Sequence, residues 1–178
     1  MQYLLKISID NTEAWRLISV DGKADLAHTA QLIALSFDYK DNNQFFIIKD
    51  KTFSAGFAGN PKSPEDLTVF DDLSLKENDE FIYKHDSHPV LSHTVKVMKV
   101  DEHLFCLMPS CLIGSGLIPD EEDLNEQIIN DCFDSNELIS LDLREVTNRL
   151  RAFGSLRNNV NEALVQAGAV PLNFKVEK

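Results

Sequence analysis

Three histidines, His85, His88 and His93, fall within the stretch FIYKHDSHPVLSHTVKV, residues 81–97. Histidine titrates near neutral pH and is the commonest protein metal ligand. With Asp86 beside the first and Cys106 downstream, the set His85, Asp86, His93 and Cys106 is the candidate metal site. Zinc takes three or four such ligands at about 2.0–2.3 Å, oriented by further hydrogen bonds behind them. The spacing matches no metal signature, however. Adjacent residues on a strand point to opposite faces, which separates His85 from Asp86. His88-Pro89 reads as a turn. The expectation is a strand pair ending in polar residues, with no cofactor, and a metal-dependent enzyme using His85, Asp86 and His93 is the alternative.

The other reactive side chains read as structural. His103, Cys106 and Cys111 in HLFCLMPSC could supply soft ligands or a redox pair, but Cys106 sits in an apolar run, where a thiol behaves as a small hydrophobe. Cys132 beside Phe133 reads as core. Ser115 lies between Gly114 and Gly116, whereas a hydrolase elbow needs one more residue on each side of its serine. The acids Asp120, Glu121, Glu122 and Asp123 suit a helix start, where carboxylates complement the macrodipole. Together with Arg144, Arg149 and Arg151, the acids Asp120, Glu121 and Glu122 are candidate interaction residues. Arg144 and Arg151 are seven apart and share a helical face. Trp15, the sole tryptophan, is expected in the core.

These residues must be placed by elements that the hydrophobic periodicity outlines. YLLKISI (3–9) alternates with period two and reads as a strand; AWRLISV (14–20) follows and ends at Asp21-Gly22, so the two predict a hairpin. Leu26, Ala30, Ile33 and Phe37 then fall on one helical face, with Asp25 as N-cap. QFFIIKD and TFSAGF predict two short strands, residues 80–85 a further one, and HTVKVMKV a hairpin with HLFCLMP. Beyond Pro109 the reading is a glycine-containing loop, an acidic cluster, three helical segments divided in part by Gly154, and a last strand in AVPLNFKV. Two strands, a helix and then further strands is the order of a ubiquitin-like β-grasp. The expected class is α+β: a mixed sheet with one packed helix, an extra hairpin and a C-terminal helical extension. Residues 1–108 would form the β-grasp-like domain, and 109–178 an acidic loop and helices packed on it.

Charge is unevenly spread in this chain of 178 residues with a formal net charge of −12. Residues 101–143 hold no Lys or Arg and 11 Asp or Glu. Such a balance repels phosphate backbones and anionic membranes, so nucleic acid and membrane are not expected partners. Three cysteines are too few for a disulfide framework, the N-terminus is too short in apolar residues for a signal peptide, and no run reaches membrane length. The expected compartment is the cytoplasm.

Several stretches together resemble the plasmid pRiA4b Orf-3-like family. AWRLISV is similar to that family's strand around Ile-Trp-Arg-Arg, and NQFFII to a later strand. Within DLSLKENDEFIYKHDSHPVLSHTVKV, residues Asp79, Phe81, Tyr83, Asp86 and His93 fit its pattern, while SHPVL replaces its Gly-Asp-x-Trp. PSCLIGSGLIPDEED resembles its Cys-Leu-x-Gly loop, with Asp120 in place of a proline. The resemblance spans residues 3–125 and brings no established reaction; the family's association with mobile elements suggests a nucleic-acid-linked role as a further alternative. With no catalytic constellation in the residues, the leading expectation is a non-enzymatic binding or accessory module with a protein partner or self-association.

Overall fold

The computed structural model describes residues 1–39, 44–55, 68–85, 90–104, 106, 108–119, 124–134 and 141–166, with side chains on the last helix described as far as Gly154. The period-two pattern at the start forms strand β1 (Gln2–Ile9), whose odd positions Tyr3, Leu5, Ile7 and Ile9 are all buried. It pairs with β2 (Trp15–Asp21) in the expected hairpin. The helix follows as α1 (Leu26–Phe37), and the Asp25 side chain caps it by accepting from the His28 N–H at 2.6 Å. α1 is buried almost all round because the sheet lies on one side and a second helix on the other.

Strands β3 (Gln44–Ile48) and β4 (Lys51–Ser54) are joined by Lys49 and Asp50, both at positive φ. That is the backbone of a primed two-residue hairpin turn. A short 3₁₀ turn over Phe70–Leu73 precedes β5 (Glu80–His85) and the long β6 (Leu91–Asp101). The seventh strand, β7 (Ser110–Ser115), pairs with the outer side of β2. The sheet order is β4-β3-β5-β6-β1-β2-β7, and every ladder is antiparallel.

Two expectations about the sheet need correcting. The sheet is antiparallel rather than mixed: β5 does run in the same direction as β1, as a parallel neighbour would, but β6 lies between them and pairs with both. The described residues of HLFCLMP do not pair with residues 93–100 and are mostly bends, and the strand begins at Ser110, in the stretch that reads as a loop. Gly114 is what suggests a loop there. Its role is clearance, because a Cβ would stand 2.8 Å from the Trp15 carbonyl oxygen and 2.9 Å from Arg16 Cδ.

The C-terminal part carries α2 (Glu126–Asp134) and α3 (Leu143–Gln166). Contrary to expectation, Gly154 does not divide α3. It lies where a Cβ would meet the Pro109 ring at 2.9 Å, so it permits close approach at a helix-propensity cost of about 1 kcal/mol. α3 packs on both α1 and β7 through buried Val146 and Leu150. Each such fully buried side chain contributes roughly 1.5–3 kcal/mol of transfer free energy. Thr147 ties the two elements further, donating to the Cys111 carbonyl and accepting its N–H, both at 3.1 Å. The expected last strand lies outside the described residues.

Candidate functional site

The sequence candidates divide among several places. His85 and His93 do share the buried face of the sheet: His93 is opposite Tyr83, and His85 is opposite Leu91. Asp86, His88, Asp120, Glu121 and Glu122 lie outside the described residues. Cys106 follows the far end of β6, eight residues along from His93 to the end of the strand, or about 26 Å at strand rise. The structure therefore does not bring Cys106 to the histidines. No group of three metal-binding side chains occurs among the described residues.

Around the histidines is a closed polar-aromatic nest whose central member, Tyr39, gives no signal in the sequence. α1 ends in a Schellman-type turn: Asp38 is left-handed at φ 63°, and the Tyr39 N–H returns to the Ala34 carbonyl at 3.0 Å. That turn aims Tyr39 back under the helix, where it stacks on His85 with ring centroids 4.3 Å apart and its hydroxyl meets His93 Nε2 at 2.8 Å. Tyr83 packs edge-on to His93 at 5.0 Å, and Phe37 closes the other side.

Burial governs the protonation of this nest. His93 is 0% exposed, and its pKa is pushed down to about 3, first by burial and then by the neighbouring His85, against smaller opposing effects from the backbone of Tyr83 and Leu91 and from Asp10. Burial holds the Tyr39 and Tyr83 hydroxyls well above the usual phenol range. Both partners of the 2.8 Å contact are therefore neutral at pH 7. We assign the hydroxyl as donor and Nε2 as acceptor, which leaves the imidazole proton on Nδ1. Groups so far from titration are poor proton carriers at neutral pH.

Arg16 is the second surprise, because parity on β2 puts Trp15 on the opposite face and buries the arginine at 2% exposure. The correction follows from the pattern Ala14, Arg16, Ile18, Val20, which is the inward set. Its guanidinium has no carboxylate among the described residues. Instead Nε donates to the Ser36 carbonyl at 3.1 Å, Nη1 to those of Trp15 (2.9 Å) and Ser115 (2.6 Å), and Nη2 to that of Gly116 (2.8 Å). Its stem passes over Gly114, and its head lies 4.9 Å from the Phe37 ring centre. Burial lowers its pKa to about 10, so it stays charged. Arg149 donates to the Leu35 carbonyl at 3.2 Å and pairs with Glu145 at 3.0 Å and Asp38 at 3.7 Å. Two arginines from different elements thus complement the negative end of α1. Arg151 reaches Ser110 Oγ at 3.3 Å, while Arg144 is exposed near the start of α3. The contacts of Arg149 and Arg151 hold α3 to α1 and the sheet.

A cleft of about 350 Å³ lies at the other end of α1, with His28, Leu32, Val69, Met108, Pro109 and Gly154 among its lining. His28 there stacks on Phe153 at 4.8 Å.

The face of the sheet opposite α1 and α3 has a different character. One row of residues runs Trp15, Ser8, Thr94, Ile82, Ile47 across β2, β1, β6, β5 and β3. The next runs Ile113, Leu17, Lys6, Lys96, Glu80 across β7, β2, β1, β6 and β5. Small polar residues and lysine stems floor the two central strands, between apolar banks of Trp15, Leu17 and Ile113 on one side and Ile82 and Ile47 on the other. Neighbouring strands lie about 4.8 Å apart, so the strands that carry the two banks, β2 and β5, are about 14 Å apart from axis to axis. Lys6 and Lys96 are directly opposite, a destabilising pairing of like charges. They lean apart: Lys6 sits 4.9 Å from the Trp15 ring centre, and Lys96 is 3.2 Å from Glu80. The signal in the sequence is the alternation of lysines with the buried positions of β1 and β6.

Comparison with known proteins agrees with this architecture. No curated protein sequence matches the chain. The fold is similar to the crystal structure of MM3350, a protein of unknown function from Methanosarcina mazei Go1, with a TM-score of 0.57 and 21% identity over 77% of this chain and 84% of that one. The family model described as plasmid pRiA4b ORF-3-like protein matches residues 1–126, a span that takes in the whole seven-stranded sheet. The chain therefore belongs to the plasmid pRiA4b ORF-3-like protein family.

Proposed function

We propose that the protein is a non-enzymatic binding module for an acidic, partly apolar protein segment, received on the sheet face that α1 and α3 do not cover. The observation that supports this most directly is the in-register pair Lys6 and Lys96, set between two apolar banks on the face that α1 and α3 leave open. Like charges held opposite one another are locally unfavourable, and an anionic partner between them converts that cost into affinity and specificity. The apolar banks favour a protein segment over a bare phosphate chain, because they offer area for side-chain burial. Three cysteines, too few for a disulfide framework, support a reducing compartment, the cytoplasm.

The test is a titration of isotope-labelled protein with a synthetic helical peptide rich in Glu, Leu and Phe, followed by amide and indole resonances. Shifts are expected at Trp15, Ser8, Thr94 and Lys96, weakening with salt. Single-stranded DNA of equal charge is the second probe. Shifts confined to other regions, or DNA binding at least as strong as peptide binding, would sink the proposal.

A further inference from the structure

The trough on the open face has a matching element in the same chain. We infer that the segment it receives is helix α2 of a second copy, so that the protein forms a weak, salt-sensitive dimer; this rests on the binding reading above. α2 has the right chemistry. Gln127, Asp131 and Asp134 fall at helical spacing on its exposed side, and Phe133, about 100° round the helix from Asp134, is 45% exposed. Its last turn holds no basic residue, although the negative end of a helix dipole favours cations there. The helix thus ends in negative charge with no basic residue of its own turn to offset it, and the trough centres on two lysines held opposite one another. Lys96 already pairs with Glu80 and Lys6 with the Trp15 ring, so an acidic helix adds to these contacts on the trough side.

The dimensions agree. An α-helix with side chains is about 10–12 Å across, and the strands that carry the two banks, β2 and β5, are about 14 Å apart from axis to axis. Asp131 and Asp134 would meet Lys6 and Lys96, beside the bank formed by Trp15, Leu17 and Ile113. Ile113, at 49% exposed, gives that bank an open apolar edge. α2 is also positioned for reciprocal exchange. Asn11, in the turn that ends β1, donates to Glu126 at 3.1 Å, and its carbonyl accepts from Asn130 at 3.0 Å. The helix is therefore anchored at one end of the strands that floor the trough, and a two-fold arrangement places each α2 on the other copy's face. A nine-residue helix contributes a small interface, which sets the expectation of a weak dimer.

Sedimentation of the full chain over a concentration series, at low and high salt, reads the dimer directly. The wild type is expected to dimerise at low salt and to dissociate at high salt. The pair Lys6→Glu with Lys96→Glu and the pair Asp131→Lys with Asp134→Lys should each raise the dissociation constant about tenfold or more. These positions are exposed or half-buried, and thermal melts confirm that the variants fold. Mixing the two charge-reversed proteins should restore a heterodimer. A monomer at every concentration, or a dimer indifferent to these variants, overturns the inference. If the monomer still shows peptide-induced shifts at Trp15 and Lys96, only the identity of the partner fails. If it shows none, the binding reading fails with it.

Discussion

The two faces of the sheet handle polar side chains in opposite ways. Under α1 and α3, Arg16, His93 and Tyr39 are buried and mostly met within the fold: the guanidinium by four carbonyls and the imidazole Nε2 by a phenol, while His93 Nδ1 has no hydrogen-bond partner among the described residues. On the other face, Lys6 and Lys96 face each other across a strand pair and turn aside to Trp15 and Glu80. Buried polarity here is structural, because a charge removed from water persists only when its partners are supplied from within the fold. Like charges can stay side by side only where water or a partner reaches them. The comparison yields a sharp expectation: changes on the covered face should cost stability, whereas changes on the open face should cost association.

Arg16 should show the largest effect. Arg16→Met keeps the apolar stem but strands the carbonyls of Ser36, Trp15, Ser115 and Gly116, and with them the join between α1, β2 and β7. We expect a loss of about 3–5 kcal/mol in urea unfolding, comparable to breaking a buried charge interaction. Arg16→Lys should recover little, because an ammonium cannot match the geometry of the guanidinium fork. A loss below about 1 kcal/mol would mean that water satisfies those carbonyls without strain.

His93 comes next, and its effect depends on pH. Its folded pKa of about 3 lies below the unfolded value of about 6.5, so between these limits the unfolded chain binds more protons. Stability from the neutral imidazole is fully present above about pH 6.5 and is lost as pH falls toward 3, by up to about 1.4 kcal/mol per unit. His93→Gln should be less stable than wild type at pH 7, yet show a shallower decline on acidification. Parallel stability–pH curves for the two proteins would rule out His93 as the source of the slope.

A smaller loss is expected at Arg149. Its guanidinium is only partly covered, and it combines a carbonyl at the end of α1 with two exposed carboxylates. Arg149→Ala should cost about 1 kcal/mol, mainly through the helix-end interaction, since exposed ion pairs contribute about 0–1 kcal/mol each. Hydrogen exchange should show the opening concentrated where α3 meets α1; uniform loss of protection would argue against a docking role.

How far the sequence discloses this division can be traced residue by residue. The period-two patterns of β1 and β6 and the Asp25 cap of α1 are local, and they are legible. Trp15 misleads because tryptophan's size outweighs parity, although Ala14, Ile18 and Val20 already mark the other face as inward. β7 is hidden because a glycine that leaves room for a distant arginine looks, locally, like a glycine in a loop. Gly154 conceals the continuity of α3 for the same reason, its neighbour Pro109 being far away in the sequence. Both clearances come from tertiary packing, which a single sequence does not display. The histidines draw notice as ligands, but the partner that decides their state, Tyr39, is placed by a left-handed helix end at Asp38.

The smallest effect on stability is the one that tests the contrast most closely. Lys6→Glu would replace a like-charge pair with an attractive one, since the introduced carboxylate would lie directly opposite Lys96. Cross-strand pairs of opposite charge contribute roughly 0.2–1 kcal/mol, while the lost contact with Trp15 costs about 0.5–1 kcal/mol at an exposed site. The two nearly cancel, so the unfolding free energy should move by no more than about 0.5 kcal/mol in either direction. Association with an acidic segment should nevertheless fall about tenfold, because the trough loses one positive charge and gains a negative one. A protein that folds as well as wild type and binds less would show that Lys6 is held there at no benefit to the fold. Equal binding by Lys6→Glu and wild type would instead reduce the lysine pair to ordinary solvated surface, and the open face would lose its distinction from any other.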